Sequence, residues 1–247
     1  MKNPIIILHG WIVPLNSSHE KYNEAINILE KKGYQIFAPD LPGFGINKLK
    51  KEQLFFDDYI DFVLDYAQMV LKKTKNKKII LIGHSFGGRI AIRFASLYPN
   101  LIDSLILTGA SGIPRHNGSL KVNIASLLTS LIKPIFRIPL ISFFYPPFRK
   151  AFYLAIGEMD YFKAGPLTKT FKNIYQVSIK NDLSNIFIPT LILWGQRDKV
   201  TPLADGILIQ SLIPNSKLIV IPNASHKLPY ENANEFTSNI LSFLNNP

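Results

Sequence analysis

Residues 77–95 read KKIILIGHSFGGRIAIRFA, and the fold turns on what happens at Ser85. The run at 79–82 is short, apolar and rich in β-branched side chains, which suits a strand buried on both faces by flanking helices. From Phe86 the apolar residues recur at helical spacing through Ile90 and Phe94 and stop before Pro99. A strand therefore runs into a helix with almost no loop between them. So tight a turn would bring flanking side chains into collision, and Gly83, Gly87 and Gly88 remove them. Gly83, His84, Ser85, Phe86 and Gly87 together form the G-x-S-x-G pattern, which exposes a serine hydroxyl on a strained elbow above a helix N-terminus. A glycine-rich turn that happens to contain serine is the plain alternative; the strand-turn-helix context favours a nucleophile.

Working outward, apolar strand-like runs recur at 5–8, 35–38, 104–107, 190–194 and 218–221, with helical patterns between most of them. Ser17 with Glu20 reads as a capping box ahead of Tyr22, Ile26 and Leu29, and Gly33 ends that helix. Asp57 or Asp58 is expected to cap a helix carrying Ile60, Val63, Ala67 and Val70. The last helix follows Pro229, with Phe236, Ile240 and Leu244 on one face. Such alternation predicts the α/β class: a mostly parallel sheet with helices on both faces and its chemistry beyond the carboxyl ends of the strands. The interval 112–183 breaks the pattern, since it holds no convincing strand and prolines 134, 139, 146 and 147 punctuate it. Structureless loops of that length are uncommon in compact domains, so 112–183 is expected to be a helical cap inserted into a core formed by 1–111 and 184–247. Lys133 and Arg137 interrupt its apolar stretch, which argues against a membrane span.

A serine hydroxyl is a weak nucleophile near neutral pH and needs a base within hydrogen-bond reach, with a third group to orient that base. Two strand ends supply them. Asp198 follows the strand at 190–194 and His226 follows the last strand, on the sheet edge where the elbow also ends, giving the order Ser85, Asp198, His226. The oxyanion formed in acyl transfer needs N–H donors, expected from Phe86 and from Trp11 in the loop LHGW, where Gly10 allows close backbone approach. Of the other histidines, His19 and His116 lie in polar segments and read as solvated, while His9 and His84 read as packed or loop-bracing. Asp40, followed by proline and glycine, reads as a turn-holding aspartate.

Composition narrows the setting. The 247 residues are 47% hydrophobic and 18% charged, an ordinary globular balance, and cysteine is absent, which removes disulfides, thiolate metal sites and a cysteine nucleophile. The opening MKNPIIILHGW has one lysine and too few aliphatic residues for a secretory signal, so a cytoplasmic location is expected. The net charge of +11 is spread along the chain, and its densest cluster, KKTKNKK at 72–78, reads as a solvated helix-to-strand turn rather than a nucleic-acid site. Neither a dinucleotide fingerprint nor a metal-ligand cluster is present in the sequence, so no cofactor or metal is expected.

Five ordered motifs, LHGW, DLPGFG, GHSFGG, WGQRDKVTP and SHKLPYENANEF, make the chain resemble the cap-bearing branch of the α/β-hydrolase superfamily, which includes esterases, carbon–carbon bond hydrolases and lipase-like enzymes. The resemblance implies Ser85 as nucleophile, His226 as base, Asp198 as its orienting acid, and Trp11 and Phe86 as oxyanion donors. It also implies hydrolysis of a small to medium, largely apolar ester or thioester, with carbon–carbon cleavage of a diketone or non-catalytic ligand binding as alternatives. Relatives that act on haloalkanes and epoxides carry aspartate at the position of Ser85, which argues against both chemistries. The expected partner is a small-molecule substrate; the scattered basic residues leave an acidic substrate group or peripheral contact with an anionic membrane open. Two departures stand out: Ser225 occupies the place of the usual glycine before the histidine, and only four residues precede Ile5, so the sheet is expected to begin at the first parallel strand.

Overall fold

The computed structural model describes residues 2–11, 18–49, 51–113 and 164–245, together with 127, 128, 131, 147, 148, 150 and 151. Six strands, β1 (Ile5–Leu8), β2 (Ile36–Phe37), β3 (Ile79–His84), β4 (Ile102–Thr108), β5 (Thr190–Gly195) and β6 (Ser216–Ile221), form one sheet in the order β2-β1-β3-β4-β5-β6. Every pairing among them is parallel. The six expected runs are all present, and the β3 strand carries on past the apolar run to His84, the residue before the elbow.

Parallel strands need crossovers, and helices supply them: α1 (Ser18–Lys21), α2 (Asn23–Lys31), α3 (Phe56–Thr74), α4 (Phe86–Leu97), α5 (Thr168–Tyr175), α6 (Lys180–Leu183), α7 (Leu203–Leu212), α8 (Leu228–Glu231) and α9 (Ala233–Asn245). Successive strand residues point to opposite faces of the sheet. On one face Ile5, Ile7, Ile80 and Ile82 meet Ile26 and Leu29 of α2 and Phe236 and Ile240 of α9. The opposite face lies under α4, which packs on β1, β3 and β4, and under α7, whose Gly206 abuts the Trp194 ring of β5. The four central strands are buried on both sides, which accounts for their unbroken apolar sequence.

Helix α3 buries Tyr59, Ile60, Val63, Ala67 and Val70 as its periodicity predicts. Its cap differs from expectation. The helix starts at Phe56, and Asp58 sits inside the first turn, reaching back to accept the Phe55 N–H at 2.8 Å while also holding Lys51 at 2.6 Å. The carboxylate thus works from within the helix, where negative charge also suits the N-terminal end of the macrodipole.

The chain divides into two compact units, Met1–Ile113 with Ser178–Pro247, and Pro114–Val177. Within the second, a tight turn at Gly165–Leu167 is followed by α5, with Leu167, Thr170 and Ile174 buried. Within the first, α6 is tied to α4 by an ion pair of 2.8 Å between Arg93 and Asp182. Most of the interval read as a cap, Ser17 of the expected capping box, His116 and the side chain of His19 lie outside the described residues. No helix among the described residues is long and apolar enough to cross a membrane.

Candidate active site

Strand β3 passes into α4 through Ser85 alone, which adopts φ 53° and ψ −112°. Positive φ is costly for a residue with a side chain, so the surroundings must hold it there. Its N–H donates to the Thr108 carbonyl at 3.0 Å, and its own carbonyl accepts from Arg89 and Ser111, each at 3.1 Å. The glycines do what the motif requires of them. A Cβ on Gly87 would run into the Leu8 carbonyl, and one on Gly83 would lie 2.6 Å from the Gly88 α-carbon. Gly10 has the same role in the first loop, where a Cβ would stand 3.0 Å from that of Ser85.

Asp198 lies just beyond β5, in a turn closed on its own carboxylate. The N–H groups of Val200 and Thr201 both donate to Oδ1 at 2.8 Å. Oδ2 accepts from the Thr201 hydroxyl at 2.9 Å and from Nδ1 of His226, just beyond β6, at 2.8 Å. Burial, the largest single influence, pushes this carboxyl up, but the His226 hydrogen bond and charge and the Thr201 donors together outweigh it and hold its pKa below the usual carboxylate value. The Asp198 side chain is 1% exposed and that of His226 15%, so the acid is sealed while the ring it orients is reachable. A carboxylate only accepts, hence Nδ1 of His226 carries its hydrogen toward Asp198, and in the neutral form of the ring Nε2 is the lone pair available to a hydroxyl.

Thr201 is one residue that sequence reasoning missed. Its hydroxyl lies 2.9 Å from Asp198 Oδ2, 3.1 Å from His226 Nδ1 and 3.1 Å from the Gly109 carbonyl, and its own carbonyl accepts from Trp194 Nε1 at 2.9 Å. The available signal was a hydroxyl residue three positions after an aspartate, the spacing at which such a turn brings side chain and N–H back together. The expected oxyanion donors sit in two segments held by their rings: Trp11 meets Phe86 edge-on at 5.4 Å and Phe44 at 5.0 Å. Phe86 opens α4, where the first N–H groups of a helix lack intrahelical partners.

Two further histidines flank this cluster, both fully enclosed. His9 contacts the Gly10 carbonyl through Nδ1 at 2.7 Å and accepts the Leu41 N–H on Nε2 at 2.9 Å. His84 contacts the Tyr22 hydroxyl through Nδ1 at 2.7 Å and the His226 carbonyl through Nε2 at 2.8 Å. Burial lowers His9 from 6.5 to about 4 and His84 to about 3, so both rings are neutral in the fold. Below pH 6.5 the unfolded chain then binds more protons than the folded one, and stability falls as pH drops from 6.5 toward those folded-state values. Acidification from about pH 7.5 to about pH 5 should cost roughly 4 kcal/mol, shared between the two rings. Urea unfolding at the two pH values measures it, with His9→Gln expected to halve the loss; wild-type stability that stays flat across this window would contradict the neutral assignment.

The remaining expectations resolve simply. Asp40 accepts the Ile46 N–H at 3.1 Å and its carbonyl accepts from Asn47, so it holds the turn at 40–47. Ser225 in place of glycine donates to Glu231 at 2.7 Å and accepts the Lys227 N–H at 3.1 Å, bracing the turn around His226 rather than loosening it. Asp205 lies in the first turn of α7. Among the described residues no group of three or more His, Cys, Asp or Glu is placed to hold a metal ion.

The motifs and the fold agree with what is known of other proteins. The family model described as the alpha/beta hydrolase fold matches residues 3–128 and 146–233. A pimeloyl-(acyl-carrier protein) methyl ester esterase of Wigglesworthia glossinidia brevipalpis is 30% identical over an alignment covering 90% of this chain and 86% of that protein. A 2-hydroxy-6-oxononadienedioate/2-hydroxy-6-oxononatrienedioate hydrolase of a Pseudomonas species is 24% identical, over 98% of this chain and 91% of the other. An esterase structure from Exiguobacterium antarcticum superposes with a TM-score of 0.73 at 20% identity, covering 99% of this chain and 92% of that one.

Proposed function

The chain belongs to the α/β-hydrolase family of enzymes, and on that footing we propose that it is a serine hydrolase cleaving a small to medium, largely apolar carboxylic ester or thioester through an acyl-enzyme on Ser85. The observation that carries this reading is the 2.8 Å pair of Asp198 and His226, set on the same sheet edge to which β3 delivers a serine in strained geometry. In the proposed cycle His226 Nε2 takes the Ser85 proton as Oγ attacks the substrate carbonyl, and the Trp11 and Phe86 N–H groups receive the developing oxyanion. His226 then protonates the departing alcohol or thiol. Water, deprotonated by the same nitrogen, attacks the acyl carbon, releasing the acid and restoring the Ser85 hydroxyl. Asp198 remains ionised throughout and keeps Nδ1 protonated.

We assign residues 112–183 as a helical cap that selects the substrate. Support comes from the length of the interval between β4 and β5, and from a separate compact unit at Pro114–Val177 falling inside it. The aromatic-rich sequence at 133–162 favours apolar acyl groups.

A second reading, hydrolysis of a carbon–carbon bond in a diketone, has support from the Pseudomonas relative by name. The two separate on one panel: nitrophenyl esters of increasing acyl length beside a diketone substrate of the ring-cleavage type, with and without anionic liposomes. Turnover of an intermediate-length ester in free solution is expected. Cleavage of the diketone alone would move the assignment to the second reading, activity restricted to liposomes would make the protein an interfacial lipase, and turnover of neither class would favour ligand binding without catalysis.

A further inference from the structure

The Tyr22–His84 pair is more than packing beside the elbow. A carbonyl oxygen can only accept, so the 2.8 Å contact between His84 Nε2 and the His226 carbonyl requires the hydrogen on Nε2. The buried ring is neutral, so Nδ1 is then a bare lone pair, and the Tyr22 hydroxyl 2.7 Å away must be its donor. The opposite tautomer would aim two lone pairs at each other across the His84–His226 contact. Tyr22 is itself enclosed, edge-on to His84 at 6.1 Å and to Tyr230 at 5.7 Å, and has little freedom to turn its hydroxyl elsewhere.

The two ends of this chain of contacts differ in rigidity. His84 is the last residue of β3, which is hydrogen-bonded to β1 on one side and β4 on the other, and it immediately precedes Ser85. His226 hangs on a loop beyond β6, which is the edge strand and is only partly buried. An edge loop gains most from an anchor in the sheet interior. We propose that Tyr22 and His84 are positioning residues that set the tautomer and direction of one hydrogen bond, and through it clamp the main chain of His226 to the strand carrying Ser85. The inference rests on the serine-hydrolase reading for its effect on turnover, but the clamp itself is a statement about the 222–228 loop.

Three variants test it. Tyr22→Phe removes one oxygen and leaves the ring. His84→Leu removes both imidazole nitrogens, and His84→Gln restores an amide donor for the carbonyl and an acceptor for Tyr22. With active sites counted by phosphonate titration, kcat is expected to fall about 10-fold in Tyr22→Phe and about 100-fold in His84→Leu at unchanged KM, since small misplacements of a base carry penalties of that size. His84→Gln should recover to within about 3-fold of wild type. Hydrogen exchange of the 222–228 segment should quicken in the first two variants and not in the third. A purely structural role would lower the melting temperature and leave kcat per titrated site alone, and that result overturns the positioning role of Tyr22 and His84 even where quickened exchange shows the loop to be clamped. Should the wild-type protein neither hydrolyse an ester nor take up phosphonate, the serine-hydrolase reading fails by itself; exchange that then stays at the wild-type rate in both disabling variants overturns the clamp, and quickened exchange rescued by His84→Gln upholds it.

Discussion

Ser85→Ala is expected to lower kcat on the best ester by about a million-fold, leaving the weak residual catalysis that binding and oxyanion donors provide without a nucleophile. A fluorophosphonate should label the wild-type protein at Ser85 and leave the variant unmodified, read by peptide mass spectrometry. Label on another residue, with Ser85 intact, would sink the assignment. The backbone offers a second readout. Ser85 sits at φ 53° and ψ −112°, which alanine tolerates no better than serine, so Ser85→Ala should unfold near the wild-type temperature. Ser85→Gly should be equally inactive yet more stable than Ser85→Ala by about 1 kcal/mol or more, because glycine adopts that conformation with little strain.

Asp198→Asn should reduce kcat on the order of ten-thousand-fold while preserving the fold, and the local hydrogen bonds say why. The N–H groups of Val200 and Thr201 both point at Oδ1, so the amide oxygen of an asparagine would be drawn to that side and its NH2 turned toward His226. Nδ1 would then have to accept, and the ring proton would move to Nε2, the nitrogen that must be bare to take the Ser85 proton. The variant would hold its ring in place with the wrong tautomer. Ester kinetics, with nitrogen NMR of the histidine side chains, measure both halves. Wild-type turnover in Asp198→Asn would mean that another acid orients His226, with Asp40 and Asp205 the next positions to replace.

The motif at 83–88 was legible because every residue in it answers to local geometry: a strand end, a turn too tight for side chains, a helix start. Asp198 and His226 were legible because a parallel sheet sends its strand ends to one edge, so that order along the chain foretells proximity in space. The turn-holding role of Asp40 and the bracing role of His9 and His84 followed from similar placement. What stayed hidden depends on contacts between distant segments. Tyr22 looks like a helix residue with an apolar ring, and only the fold brings its hydroxyl to His84, far along the chain. Thr201 reads as an ordinary loop residue until the Asp198 turn closes on it and the end of β4 arrives beside it. The cap of α3 was misplaced for a different reason: acidic residues suit both the capping position and the first turn, and their composition does not separate the two.

Gly109 stands at the end of β4 with φ +52°, and a Cβ there would lie 2.9 Å from His226 Nδ1 and 3.3 Å from Asp198 Oδ2. One wall against the Asp198–His226 pair is therefore main chain. Two of the four donors to Asp198 are main-chain amides as well. Mutation alters side chains and leaves peptide groups where the chain path puts them. That main-chain part of the pair's electrical setting is inherited with the course of β4 and the turn after β5, while the Thr201 hydroxyl and the His84 ring, 4.9 Å from that of His226, are its side-chain part. The vulnerable side-chain positions are few: a Cβ gained at Gly109, a hydroxyl lost at Thr201, or the loss of the His84 ring beside His226.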